Sequence, residues 1–259
     1  MKPTQGITVY ILLILLGIFF SSCVSTKKTS YFNDVPDAWR VTSAISESQL
    51  INANDILSIQ VSSLNPQATE IFNSNTTTTI TGTNIQQTTG YLVDGEGNIQ
   101  FPVLGKVKAA GMSKNQFTEE LRKQLADKKL LLDPVVAVRF LNFRITVLGE
   151  VAHPMVVPVP NEKISILEAI GMAGDLTIYG KRENVLLIRE EAGQKTMTRI
   201  NLTSRGLFSS PFYYLKNGDV VYVEPNQAKV SSASNVRQVL PIVLSGLSFL
   251  AIIFDRASR

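Results

Sequence analysis

Two uncharged apolar runs bracket this 259-residue chain, ITVYILLILLGIFF at 7–20 and VLPIVLSGLSFLAIIF at 239–254. If both are spent on a membrane, the core must come from the shorter hydrophobic segments between them. As helices these 14 and 16 residues would rise about 21 and 24 Å, both short of the ~30 Å hydrocarbon layer of a bilayer. The first run follows Lys2 and leads into Ser21, Ser22 and Cys23. A basic residue, a short apolar run and small residues before a cleavage point predict a signal peptide over 1–22. The second run follows Arg237 and ends at Asp255 and Arg256. It predicts a helix over 236–254 that crosses a thin membrane, with a buried core helix as the alternative. Pro241 is placed in its first turn, where a missing N–H costs little. Ser245, Gly246 and Ser248 are small enough to let copies of this helix pack closely or to line a lumen.

Composition removes several function classes. The formal net charge is +4 and Lys and Arg form no stripe, so nucleic acid is not an expected partner. One histidine and one cysteine cannot assemble an ordinary zinc site or an internal disulfide. No phosphate-cradling loop of P-loop spacing is present, so no nucleotide is expected. The cysteine has a specific context: the run ending Phe20-Ser21-Ser22-Cys23 resembles a bacterial lipobox, with Phe20 where an aliphatic residue is usual. That resemblance implies a lipid on Cys23 as the attachment point, and no cofactor besides. The polar stretch after it, through residue 47, reads as a tether. Val24 rather than Asp follows the cysteine, which leans toward the outer membrane.

The middle of the chain predicts an α+β fold in two units. In the first, 48–142, Leu57, Ile59 and Val61 alternate as a strand. Residues 73–89 carry no charge and little bulk, and read as a mobile loop. DGEGN at 94–98 is a hairpin turn between strands at 91–93 and 99–103. Ser113 with Gln116 forms a capping box ahead of a Phe117, Leu121, Leu125 stripe, and DPVVAVRFL closes the unit. In the second, 143–226, a strand pair precedes a helix capped by Ser165 with Glu168 and stopped by Gly174. NVLLIRE, TMTRINL and YLKNGDVVYVEP supply further strands, which suggests a β-grasp-like domain. Residues 227–235 read as a linker. NANDILSIQV and KNGDVVYVEP share an Asn-x-Asp start to a strand, which ordinary turn chemistry also explains.

These blocks together carry a resemblance. YLVDGEGNIQFPVLGKVKAAGMSKNQFTEELRKQL with DPVVAV is similar to the polysaccharide biosynthesis/export domain. ITVLGEV, ISILEAIGMAGDLT, NVLLIRE and YLKNGDVVYVEP are similar to an SLBB domain. On a chain with Cys23 and a C-terminal helix, they resemble the outer-membrane polysaccharide export lipoproteins. The resemblance implies a non-catalytic, ring-shaped homo-oligomer that exports capsular or extracellular polysaccharide across the outer membrane of a Gram-negative bacterium. Its bulk would be periplasmic, its C-terminal helices would gather in the membrane as a barrel or as anchors, and an inner-membrane polysaccharide co-polymerase would dock below. This chain has one SLBB unit where long members carry more.

Candidate reactive groups are few. Glu119-Glu120 and Glu190-Glu191 are adjacent acids that diverge rather than converge, and His153 has no nucleophile pattern beside it, so no catalytic residue is assigned. A periplasmic glycan-binding lipoprotein without a channel is the alternative reading. Tyr91, Tyr179 and Tyr213, with Phe101 and Phe212, are the rings that could stack on sugar, with core packing as the alternative, favoured for those in strands.

Overall fold

The computed structural model describes residues 30–36, 38–42, 44, 48–73, 77–81, 84–88, 90–191, 193–232 and 236–257. Cys23 and the expected signal peptide lie outside the described residues.

The first domain grows from alternation. In β1 (Ile56–Ser62), Leu57, Ile59 and Val61 point inward; in β7 (Val135–Phe140), Val136, Val138 and Phe140 do. The two strands run antiparallel with Leu57 opposite Phe140, and the short β4 (Tyr91–Leu92) flanks β1 on its other edge. Helix α2 (Lys114–Asp127) buries Phe117, Leu121 and Leu125 completely. Each such side chain contributes about 1.5–3 kcal/mol of transfer free energy. The predicted capping box is present, with Ser113 Oγ accepting from Gln116 N and Gln116 Oε1 accepting from Ser113 N. The DGEGN turn closes through Gly97 N to Asp94 O, and Gly97 has φ 82°. Its strands pair differently from expectation. β5 (Asn98–Phe101) pairs with β6 (Gly105–Lys108), while β4 belongs to the β1 sheet.

The described residues of 73–89, expected to be a mobile loop, are not a loop either. A helix, α1 (Pro66–Asn73), runs into them, and β2 (Thr77–Thr81) pairs with β3 (Asn84–Thr88) as an antiparallel hairpin, Thr77 opposite Thr88. Thr and Ile favour extended backbone. The low bulk that spoke against a core does not speak against a two-stranded ladder.

The second domain is a five-stranded sheet. It comprises β8 (Arg144–Gly149), β9 (Met155–Pro158), β10 (Gly180–Glu191), β11 (Gln194–Ile200) and β12 (Val220–Pro225). β12 lies parallel to β8, and the other pairs are antiparallel. Helix α3 (Ile166–Met172) starts at the Ser165–Glu168 box. It ends at Gly174, φ 81°, where Asp175 N reaches Ile170 O and Gly174 N reaches Gly171 O. These two bonds satisfy the last carbonyls of the helix, which only a left-handed residue allows. One continuous hydrophobic cluster runs from Ile51 of the first domain to Val223 of the second.

Two expectations for the C-terminal part need correction. The linker contains helix α4 (Gln227–Ser232), started by Asn226 Oδ1 accepting from Lys229 N. Helix α5 runs Val236–Ala257, past the expected end, and takes in Asp255 and Arg256. Pro241 stands beyond its first turn and withholds the N–H that Arg237 O would accept. Among the described residues no helix is long and apolar enough to cross a membrane. The apolar run of α5, residues 239–254, would rise about 24 Å as a helix. Its described apolar residues, Ile242, Phe249 and Ile252 among them, are exposed.

Candidate functional site

The stretch expected to be a polar tether docks on the second domain from residue 30 onward. Asn33 N donates to Thr203 O at 2.9 Å, and Ala44 N to Phe208 O at 2.9 Å. Asp34 receives Arg205 N at 2.7 Å and Ser204 Oγ at 2.9 Å. The Arg205 N–H holds the Asp34 carboxyl below its ordinary range. Tyr31 OH donates to Asp175, and burial, reinforced by that carboxylate, pushes the phenol's pKa up. Beneath the Tyr31 ring, 5.2 Å from its centre, lies the buried Arg182 guanidinium, which donates to the carbonyls of Leu176, Thr177 and Gly180.

This strap completes an aromatic ridge. Phe32 and Phe208 have ring centres 4.9 Å apart, Trp39 and Phe208 5.9 Å, Phe208 and Tyr213 5.6 Å, and Tyr213 and Tyr214 4.9 Å. Cations rest on its two flanks, Arg205 5.9 Å from the Trp39 ring and Lys163 Nζ 4.3 Å from Tyr214. These rings are half-buried. Such a surface can stack on the apolar face of a ring-shaped polar ligand, and Arg205 on Trp39 strengthens the hold on the strap. Sequence reasoning missed Tyr31, Phe32, Trp39 and Phe208. The available signal was the aromatic density of YFNDVPDAW in a stretch otherwise too polar to dock.

The two domains meet through matching turns. In Asn52–Asp55 the Asp55 carboxylate accepts Asn52 N at 2.8 Å, and Asn54 has φ 70°. In Lys216–Asp219 the Asp219 carboxylate accepts Lys216 N at 2.8 Å, and Gly218 has φ 83°. The sequence echo is thus one turn built twice. The turns also touch, Asn217 Nδ2 donating to Asp55 Oδ1 at 2.9 Å while Asn217 N donates to Gln49. Burial raises the Asp55 pKa, against the pull of Asn52 and Asn217. Asp219 is instead matched by Arg189, both buried, at 2.7 and 3.0 Å. A second latch joins Lys114 of α2 to Glu162, whose other oxygen accepts Phe140 N at 2.8 Å.

The three candidate tyrosines are not brought together. Tyr91 is 6% exposed, stacks near Phe101 and donates its hydroxyl to Phe72 O at 3.0 Å, so its ring is core. Phe101 is buried with it. Tyr179 stands apart, half-buried, with Lys229 Nζ 5.2 Å from its ring. Tyr213 belongs to the ridge, and Phe212 lies 5.7 Å from Arg189. In α5, Ser245 and Ser248 turn their hydroxyls onto the carbonyls of Ile242 and Leu244, and a side chain at Gly246 would meet open space. The acids are in ordinary ion pairs: Glu119 with Arg122, Glu190 with Lys195, Glu191 with Lys216. Glu120 receives Gln124. His153 sits beside Gly174. Among the described residues no three His, Cys, Asp or Glu side chains cluster as metal ligands do.

Residues 43–141 match the polysaccharide biosynthesis/export protein family, and residues 144–223 match the SLBB domain. Two curated relatives share the name EPS I polysaccharide export outer membrane protein EpsA. The one from Ralstonia solanacearum is 30% identical over 141 residues, 53% of this chain and 37% of the relative. The one from Ralstonia nicotianae is 32% identical over 142 residues, 53% of this chain and 36% of the relative. The match therefore spans little more than a third of the length of these relatives. Both domains are matched in sequence order and meet at the junction just described: the chain carries a polysaccharide biosynthesis/export domain followed by an SLBB domain.

Proposed function

We propose that this protein is an outer-membrane lipoprotein subunit of a homo-oligomeric translocon that passes extracellular or capsular polysaccharide out of a Gram-negative cell. Cys23 carries the lipid, the two domains stand in the periplasm, and an inner-membrane polysaccharide co-polymerase delivers the glycan. The protein acts by enclosing its cargo and performs no covalent chemistry. The observation that carries this reading is the latched junction. Asn217–Asp55 and Lys114–Glu162 make one body of the export and SLBB domains, so a ring assembled by either is a ring of both. The strand order β9-β8-β12-β10-β11, with its parallel β8–β12 pair and helix α3, supports the β-grasp reading of the second domain.

A second reading, a periplasmic glycan-binding lipoprotein without a channel, draws on the half-buried aromatic ridge and on the want of a membrane-crossing helix among the described residues. Removing residues 236–259 separates the two. A translocon loses surface polysaccharide while the remaining body stays folded and lipid-anchored. Export that survives the truncation rejects a pore-forming part for α5 and favours the second reading. Cys23→Ala should abolish lipid labelling and leave an uncleaved precursor.

A further inference from the structure

We propose that the β2–β3 hairpin is an assembly element that pairs, edge to edge, with the same hairpin of a neighbouring copy; this rests on the oligomeric reading above. Among the described residues β2 and β3 pair only with each other, so neither outer edge of the hairpin has a further strand beside it. An isolated two-stranded ladder is marginal in water, and a third strand is what stabilises it. Strands with open edges are normally shielded by charge, proline or brevity. The other edge strands here are so shielded: β11 has Lys195 and Arg199, β7 has Arg139, β9 ends in Pro158, β6 has Lys106 and Lys108, β5 is four residues long and runs into Pro102, and β4 is two residues long. Residues 73–89 carry no charge and no proline, and are rich in Thr, Asn and Gln. That composition selects an identical partner. Copies meet without repulsion, and amide side chains in register can form ladders with their own kind.

The root of the hairpin is held. Asn73 imitates a paired strand residue, its Oδ1 accepting Val61 N at 2.9 Å and its Nδ2 donating to Val61 O at 2.8 Å. In a ring, β3 of one copy would lie antiparallel beside β2 of the next, and closure would leave no edge. Each strand is five residues, about 17 Å. A membrane-spanning strand needs about 9–11 residues, so the closed structure is a periplasmic collar.

The test uses the full-length protein extracted in detergent. Thr79→Cys is co-expressed, in separate chains, with Ile85→Cys, Gln86→Cys or Gln87→Cys, oxidised, and analysed for disulfide-linked dimers. At least one combination should cross-link while each single variant alone does not. Thr77→Lys with Thr81→Lys in both chains, added to the cross-linking combination, should cut the dimer yield about tenfold or more by placing charge on the docking edge of β2. Particle mass of the unsubstituted protein is measured alongside. An oligomer with no cross-link at any combination overturns the hairpin proposal and leaves the translocon standing. A strictly monomeric particle overturns both.

Discussion

Arg189 and Asp219 show how much a single buried pair can govern. Both are almost wholly withdrawn from solvent, and Asp219 also ties down Lys216 N. Asp219→Ala leaves a buried guanidinium without its counter-charge and should cost about 3–5 kcal/mol in urea unfolding. The Asp219→Leu and Arg189→Met double substitution should recover most of that. Glu168 offers a gentler handle. The Ser165 N–H and hydroxyl hold its carboxyl below 4.5, so its contribution is complete above about that pH and is lost as the pH falls through the lowered value. Glu168→Gln keeps both bonds of the cap and cannot titrate. Stability at neutral pH should fall slightly, by the part the charge supplied, and acid unfolding followed by circular dichroism should flatten below pH 4.5. Ser113, Ser165 and Gly174 were legible in the sequence because a helix cap is decided within four residues. Arg189 and Asp219 lie 30 residues apart, and no local pattern pairs them. Tyr91 was misplaced for a related reason: a strand tyrosine reads the same from the sequence whether its hydroxyl meets water or Phe72 O.

At the scale of elements, the repeated Asn-x-Asp turn carries the most information. Local turn chemistry predicted each copy, but only tertiary structure sets Asn217 of one against Asp55 of the other. Asn217→Ala leaves the Asp55 carboxylate short of a partner and should cost about 1–3 kcal/mol. Calorimetry should then show the unfolding transition broaden or split as the domains uncouple. Asp55 itself behaves opposite to Glu168. Its folded pKa is raised above 3.8, so the folded state takes up the proton first, and falling pH through that window favours folding through this group. Acid unfolding must therefore begin at other carboxylates. The strap is the element least visible beforehand. Its hold depends on Phe32, Trp39 and Phe208 meeting across more than 160 residues of chain, which periodicity within a window does not register. Phe208→Ser should release it, and limited proteolysis should then cut between residues 30 and 44 while the two domains resist.

For the molecule as a whole, the two-domain α+β plan was readable because strands and helices of this length announce themselves by period two and period 3.6. The length of the C-terminal apolar run was readable too, and its arithmetic already fell short of a bilayer. The hairpin at 77–88 was not, since a polar strand has no hydrophobic period to betray it. The docked strap has one more consequence, for the protein's reach. With a lipid on Cys23, seven residues separate the anchor from Tyr31, which is docked on Asp175. Fully extended they cover about 25 Å. The second domain is then on a short leash, held near the bilayer whether or not α5 enters it. A dye near Lys163 should be quenched by a labelled membrane surface, and Phe208→Ser should lengthen the leash and weaken the quenching.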